Sequence, residues 1–570
     1  MIAVDLPGLT TWLHSRRWFS GKGRAMTGSH VVDVMPVSAE GPWLTTVEVT
    51  YADGVVGDRT ADRWLLVLTP VPAGDPSAIG SADGRAVAEL GDRPEAAIAL
   101  LGAIARGATL HGAAGTVARA SSVGEAPSPA PTVRPMGVEQ SNTSVVVGGE
   151  VAVKVVRHLE AGPNPDVEVG MALTAAGFTG SPALVGAIVG PDEAAMVVAG
   201  RFVPDARDGW ALAVEEAAGG DHGIVSGLKD LGALTAEMHA KLRDALPTVQ
   251  SDAVDGDRWR TAMADELAVT RRVVETLSPQ AAATMRARVR AAVAKAPPGL
   301  GLLQRIHGDY HLGQVLRDRE GRWWILDFEG EPGRPVAERR QPANPARDVA
   351  GMLRSLDYAR AQAARGGGDA GAAEEWVAAA RAAFLEGYGE EGREWLQAFE
   401  VEKLLYEVRY EAANRPDWLP IPLAALGIAL PQAPTRARHN ETTDEPMTDP
   451  TTPPKPADKP DKAGKAQTAG QSMAAKLPAA DKRKADKPSE PTAEPAAAAP
   501  RATGPTPAVV STAAALAAGT VHDPHQLLGF HPDGDGWVVR AWRPGAESVA
   551  YLATPEADPL PCDQPVNGLF

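Results

Sequence analysis

The sequence predicts an α+β protein of two lobes, with a small α/β cap in front of them and a linker and short β-module behind. Three observations predict it. Alternating β-branched segments and turn signals crowd the first 200 or so residues, helical periodicity dominates from about residue 206, and composition shifts abruptly near Pro434. At 570 residues the chain has length for three or four domains of about 150 residues each.

The cap is expected over residues 1–90. A helix around WLHSRRWF precedes three alternating segments near Val31–Val37, Leu44–Tyr51 and Arg63–Thr69, divided by the turn-forming stretches AEGP and ADGVVGD. That pattern reads as a helix and an antiparallel meander. The strand-rich lobe follows over 91–203, opening with a helical AAIALLGAIARG and a Pro-rich bridge. Two β-branched strands then meet at Gly148-Gly149, a hairpin signal. Residues 164–176 read as a helix, with Asn164 as N-cap, Pro165 in the first position and Gly177 past the end.

The helical lobe is expected over 204–433 and contains HGDYHLGQVLRDREGRWWILDFEGEP, residues 307–332. Here acids and an amide flank what reads as a β-hairpin. A strand-rich part followed by a helical part with an acidic hairpin inside it is the layout of a bilobal protein-kinase-like phosphotransferase. Phosphoryl transfer requires a nucleophile held in line, a divalent cation bridging phosphates, and a cationic side chain on the nucleotide tail. Asp309 is placed to orient or deprotonate an attacking hydroxyl. Gln314 and Asp327 offer hard oxygen ligands suited to Mg2+. These three occupy the offsets of the kinase pattern H-R-D, Asn, D-F-G, with Gln in place of Asn and Glu329 in place of Gly, so a third carboxylate approaches the site. Read alone, DFE is as well explained as an acidic turn.

Upstream, Lys154 stands on an otherwise apolar strand with Glu168 fourteen residues later in the next helix, the order of a phosphate-clamping lysine and its carboxylate partner. No GxGxxG precedes it. EQSNTS stands in that place, where Ser141, Asn142 and Thr143 are candidate phosphate contacts, and a plain polar turn explains them equally. His239 and His307 read as structural hydrogen-bonders.

A net charge of −16 argues against nucleic acid or an anionic membrane surface as partner. One cysteine, Cys562, excludes an intramolecular disulfide. The N-terminal segment has no apolar signal core, and no run reaches the 18 or so apolar residues a membrane span needs, so a cytoplasmic location is expected.

RRWFSGKGR, EQSNTSV, VAVKV, FVPDARDGWALA, LGALTAEMHA, HGDYHLGQVLR, LDFEGEP and YEVRYEAANRPDWLPIPL together resemble the actinobacterial maltokinases over roughly residues 1–430. The resemblance implies an aminoglycoside-phosphotransferase-like kinase fold with an extra N-terminal cap. It also implies ATP-dependent phosphorylation of maltose at its anomeric hydroxyl, giving maltose 1-phosphate. Under it, Asp309 is the catalytic base, Gln314 and Asp327 hold magnesium, Lys154 contacts phosphate, and Glu168 is its helix partner. Arg201, Phe202 and Val203 form the adenine hinge. Tyr410, Glu411, Asn414, Arg415 and Trp418, with Glu329 nearby, are the sugar-binding set, aromatic faces and amide or acid groups suiting a disaccharide. An amino-sugar or aminoglycoside kinase of the same fold, and an inactive kinase-like glucan scaffold, are the alternatives.

Residues 434–507 have the composition of a disordered linker, too poor in apolar residues to offset chain entropy. Beyond it, over 508–570, ALAAGTVHDPHQLLGFHP and GWVVRAWRPGAESVAYL resemble the beginning of the N-terminal β-sandwich module of glycogen branching enzymes. A short helix and loop, then two strands joined at Pro544-Gly545, are expected there. The stretch holds far fewer strands than a sandwich, hence a partial module. Enzymes of α-glucan synthesis are the partners this resemblance implies.

Overall fold

From Trp64 to Leu68 every side chain is apolar and buried, because the strand is covered on both faces. The computed structural model describes residues 2–52, 61–124, 132–136, 141–220, 223–331 and 334–428, together with the backbone of four short strands between residues 529 and 561. Its first sheet is antiparallel, in the order β1 (Val4–Asp5), β5 (Ala78–Ala82), β6 (Arg85–Glu89), β4 (Asp62–Pro70), β3 (Trp43–Tyr51), β2 (Met26–Pro36). The three strands expected in the cap are present. β5 and β6 are additions, since AIGSA and RAVAE show no β-branched alternation.

One face of this sheet packs on α1 (Leu9–Ser15) and an aromatic set of Trp18, Phe19, Trp43 and Trp64. The other face presents Met35, Leu44, Leu65 and Val67 to α2 (Ala96–Ala105). Apolar nearly all round, α2 suits a place between two layers.

On its far side lies a second antiparallel sheet, in the order β7 (Thr109–His111), β8 (Val117–Ser122), β13 (Leu184–Val189), β14 (Ala195–Arg201), β11 (Val151–Val155), β10 (Thr143–Val147), β9 (Val133–Pro135). Val145, Val147, Val153 and Val155 face the same core as Leu65 and Leu100. The boundary expected at residue 90 therefore divides chain segments but not cores. β12 (His158–Leu159) reinforces the join by pairing with β4. So does Arg157, fully buried, whose guanidinium donates to Glu89 at 2.6 and 3.1 Å, to the Leu65 carbonyl at 3.1 Å and to Thr143 Oγ1 at 2.7 and 2.9 Å.

The hairpin β10–β11 turns at Gly148 and Gly149, both left-handed (φ 64° and 73°), as a type I′ turn requires. α3 (Pro165–Ala175) begins as expected: the Asn164 side chain accepts from the amides of Asp166 and Val167. Its Val169 and Leu173 sink into the core of the helical half, while Val167 packs against the second sheet.

In that half, α4 (Gly209–Ala217), α5 (Ile224–Ala245), α9 (Ala346–Arg365) and α10 (Ala370–Tyr388) surround the hairpin of β18 (Val315–Arg317) and β19 (Trp323–Ile325). α6 (Ala253–Glu275), α7 (Pro279–Lys295), α11 (Arg393–Asn414) and α12 (Pro420–Ala425) close a second core. α5 and α10 touch at glycines: a Cβ on Gly232 would stand 2.0 Å from the Phe384 carbonyl oxygen, and one on Gly387 1.8 Å from that of Lys229. Short pieces complete the half: β15 (Arg207–Asp208) on β18, β16 (Val249–Gln250) on β17 (Leu302–Leu303), and α8 (Val336–Arg339).

The expected linker, 434–507, lies outside the described residues, as do Pro544 and Gly545. Near the C-terminus, β21 (Gly536–Arg540) pairs back onto β20 (Gly529–Asp533), and β22 (Ala550–Tyr551) pairs with β23 (Leu560–Pro561). Strands are thus described on both sides of Pro544-Gly545, each paired with another segment, while the residues that join them and most of the expected short helix and loop lie outside the described residues. Among the described residues, no helix is long and apolar enough to cross a membrane.

Candidate active site

Strand alternation decides where Lys154 points. Its neighbours Val153 and Val155 enter the shared core, so Lys154 projects from the opposite face, between Ser144 on β10 and Val198 on β14. There its Nζ meets three carboxylates: Glu329 at 2.5 Å, Asp166 at 3.3 Å and Asp327 at 3.7 Å. Burial alone would lower the Lys154 pKa. Asp166, Glu329 and Asp327 outweigh it and hold the ammonium charged, well above its ordinary range.

Those carboxylates come from the acidic hairpin and from α3. Val315 pairs with Ile325, so Gln314 and Asp327 emerge side by side from the ends of β18 and β19. Gln314 Nε2 donates to Asp327 Oδ2 at 3.2 Å, and the Leu326 amide donates to the Gln314 carbonyl at 2.9 Å. Asp327 has φ 60°, a left-handed conformation uncommon outside glycine and found at ligand-binding turns. Burial pushes its carboxyl up, but Lys154, His307 and the Gln314 bond bring it below the usual value. Glu329 goes the other way: burial raises it, and the attraction of Lys154 does not offset burial together with the repulsion of Asp166 and Asp327.

Asp309 stands on a loop fixed from beneath. Asp348, buried in α9, accepts from the amides of His307 (2.7 Å) and Gly308 (2.9 Å) and pairs with His239 Nε2 at 3.0 Å. His307 Nε2 reaches the Leu326 carbonyl at 2.8 Å while its Nδ1 accepts from the Asp309 amide at 3.4 Å, tying the loop to the hairpin. Both histidines are therefore structural hydrogen-bonders. His311 Nε2 lies 3.8 Å from Asp309 Oδ2, and the charges of Asp309 and Asp327 both bear on it. Burial lowers its pKa and favours the neutral ring.

Ligand oxygens of Asp166, Asp327 and Glu329 lie within 4.8 Å of one another, with the Gln314 amide beside them. Against one ammonium, three carboxylates leave surplus negative charge. An all-oxygen donor set with that surplus fits a hard divalent cation such as Mg2+.

Other expected residues are engaged elsewhere. Glu168 does not meet Lys154. It accepts from Arg340 at 2.8 and 3.2 Å and lies 3.1 Å from Arg305, and these contacts, against the opposing effect of burial, lower its pKa. The reason is helical geometry: two residues along α3 is about 200° of rotation, so Asp166 faces the lysine and Glu168 the arginines. Asn142 and Thr143 are likewise taken, their side-chain oxygens accepting from the Arg157 amide and guanidinium, while Ser141 is exposed. Glu139 and Gln140 lie outside the described residues. At the end of β14 the Phe202 amide donates to the Glu150 carbonyl and the Arg201 amide to that of Ala183, and Val203 is buried.

On α11, Glu411 is buried and accepts from Tyr358 Oη (2.9 Å) and Arg415 (2.6 and 2.9 Å). The Asn414 amide donates to the Tyr410 carbonyl, Trp418 stacks on Tyr358, and Arg415 lies over the Tyr410 and Trp418 rings. Of this set, Tyr410, Asn414 and Arg415 are exposed, and Tyr410 stacks with Tyr406, also exposed, at 5.9 Å and 22°. The Asp309 charge bears on Tyr406, and Lys403 Nζ lies 5.2 Å from its ring. Sequence reasoning missed Asp166, Asp348, Tyr406 and Lys403. Tyr406 and Lys403 were legible as i, i−4 and i, i−7 neighbours of Tyr410 on one helix face.

Family comparisons agree with this architecture. Residues 12–101 match the maltokinase N-terminal cap domain, residues 197–399 the phosphotransferase enzyme family, and residues 510–570 the N-terminal domain of alpha-1,4-glucan branching enzyme GlgB. Glucosamine kinase from Mycolicibacterium smegmatis is 33% identical over 324 residues, 52% of this chain and 79% of that one. Glucosamine kinase from Streptacidiphilus jiangxiensis is 31% identical over 422 residues, 67% of this chain and 89% of that one. A branching enzyme from Mycolicibacterium paratuberculosis is 60% identical over 37 residues, 5% of its length. A solved glucosamine kinase in complex with glucosamine, ADP and inorganic phosphate superposes with a TM-score of 0.55 at 24% identity, covering 74% of this chain and 99% of that one. With a catalytic half of that type, a cap of the maltokinase type and relatives matched over most of their length, the chain belongs to the phosphotransferase enzyme family, as a sugar kinase with an N-terminal cap.

Proposed function

We propose that the chain transfers the γ-phosphoryl group of ATP to the anomeric hydroxyl of maltose, giving maltose 1-phosphate. The observation that carries this reading is the meeting of Lys154, Asp327 and Glu329 beside the loop that holds Asp309. Lys154 positions the nucleotide phosphates. Asp309 orients the acceptor hydroxyl and takes up its proton as the O–P bond forms and ADP leaves. Gln314, Asp327 and Glu329 would hold Mg2+, which when bound neutralises charge on the phosphates. Asp348 fixes the height of the Asp309 loop.

The acceptor side favours a neutral sugar. Glu407 and Glu411 on α11 are buried and committed to Arg354 and to Arg415 with Tyr358, and Glu331 is paired with Arg334. The exposed groups include the stacked rings of Tyr406 and Tyr410, with half-buried Lys403 beside them, and Asn414 and Arg415 further along the helix end. Two stacked rings suit the apolar faces of a disaccharide, and a lysine disfavours an ammonium group on the acceptor. The cap match points the same way. So does the segment resembling a branching enzyme, since a glycosyl phosphate is a precursor for α-glucan (glycogen) synthesis.

A second reading, glucosamine as acceptor, is favoured by the names of the relatives. ADP release from ATP over a panel of maltose, glucosamine, glucose and an aminoglycoside separates them. Turnover greatest with maltose is expected. Turnover with glucosamine and none with maltose would transfer the assignment to the second reading, and none with any sugar would remove both.

A further inference from the structure

α6 and α7, joined by residues 276–278, fold back on one another and give their inner faces to the second core through Trp259, Met263, Met285 and Val289. α6 carries a further apolar stripe on its outer side. Ala264, Leu267 and Ala268 repeat there at helical spacing between Arg260 and Arg271, with Val293 of α7 across from them. Between the two helices this leaves an open groove of about 500 Å3 with an apolar floor. Leu267 and Val293 are half-buried, and Ala264 and Ala268 are exposed. The stretch from Arg260 to Arg271 runs about 16 Å, or three turns, at the rise of a helix.

The rim of the groove is cationic, and its charges are unevenly committed. Arg260 donates to the carbonyls of Ala296, Pro297 and Pro298, and Arg271 pairs with Glu275 at 2.8 Å. Arg286 and Arg290, exposed and one turn apart on α7, have no ion-pair partner among the described residues. α7 holds three arginines, a lysine and no acid, in a chain of net charge −16, and no residue lining the groove is acidic. None of the lining residues belongs to the phosphoryl-transfer site.

We infer that this groove seats an acidic amphipathic helix of a partner protein, its apolar stripe on Leu267 and Val293 and two acids one turn apart on Arg286 and Arg290. Two helices with an open groove between them form the seat on which a third helix packs, ridges into grooves. Unpaired cations beside an apolar floor select an acidic helix over a basic one. Charge also decides against a second copy of this chain, since a two-fold contact would set Arg286 and Arg290 against the same cations of the other copy.

Fluorescence anisotropy with the full chain tests this, the probe being a labelled peptide of about five helical turns with a leucine stripe and glutamates one turn apart beside it. Saturable binding is expected, weakened by salt and lost when lysines replace the glutamates. Arg286→Glu combined with Arg290→Glu should weaken binding roughly tenfold or more. Ala268→Trp fills the floor without changing charge and should weaken it by about as much. All three positions are exposed, and an unchanged melting temperature is the control for folding. No saturable binding, equal binding of the lysine peptide, or full affinity in Ala268→Trp would overturn the inference. Dodecanoate binding there more tightly than the peptide would overturn it in favour of a small amphipathic acid. A wild-type dimer in sedimentation that the double arginine variant dissolves would overturn it in favour of a second copy.

Discussion

Asp327 is held in a left-handed conformation with its carboxylate near Lys154 and under the Gln314 amide, whereas Asp309 rests on a loop anchored by Asp348 and stands close to His311. The two aspartates are thus placed for different work. Asp309→Asn should lower turnover by roughly a hundredfold to ten-thousandfold, the usual contribution of a general base, while Mg-ADP binds as before. Asp327→Ala should weaken nucleotide binding as well, and calorimetry alongside turnover distinguishes the two. At this scale the sequence was legible where residues are neighbours along the chain. Gln314 and DFE flank one hairpin with HGD in the loop just before it, and VAVKV aims its lysine by strand alternation alone. It was not legible where the choice depends on which face of a helix is turned inward. Asp166 and Glu168 are two residues apart with the same charge, and nothing local to α3 says which of them meets Lys154. Asn142 and Thr143 read as phosphate contacts because Arg157, their partner, is set in place by Glu89, 68 residues away in sequence.

α9 illustrates how a helix far from the hairpin in sequence controls it. Asp348 is buried with three donors, His239 and the amides of His307 and Gly308. Burial pushes its carboxyl up, but His239, His307 and the Gly308 amide bring it below its ordinary value of 3.8. A group depressed in the folded state stabilises fully above the unfolded value, and that stabilisation is lost as pH falls through the folded one. Asp348→Asn should therefore cost about 3 kcal/mol near neutral pH. The gap from wild type in urea unfolding should narrow below pH 3.8. A gap unchanged with pH would contradict the anchoring role. Helices with clear caps, such as α3, were readable to within a residue. The two sheets were readable only in part: β5 and β6 pair with each other across a two-residue turn but carry no β-branched alternation, and the places of β13 beside β8 and of β14 beside β11 are set by pairing across long separations.

Across the molecule, the cap and the strand-rich lobe form one body around α2, locked by a buried ion pair. Arg157 and Glu89 have side-chain exposures of 0% and 2%. Removing one partner of such a pair leaves an uncompensated charge, so Arg157→Leu should cost roughly 3–5 kcal/mol, and adding Glu89→Leu should recover part of that loss. Thermal unfolding of the single and double variants measures both terms. Additive losses would show that the two residues do not act as a unit. The same lock reaches Asn142 and Thr143, which puts the cap in contact with the strand that opens the hairpin carrying Lys154.

The account turns on phosphoryl transfer to an anomeric oxygen beside the cluster of Lys154 and Asp327, with Asp309 on the loop that His307 ties to the same hairpin. NMR of the product made from maltose and ATP reads this directly. Phosphorus coupled to C1 of the reducing glucose, formed by the wild type and not by Asp309→Asn, is the predicted result. Phosphate on another carbon, or unchanged maltose with intact ATP, would contradict it.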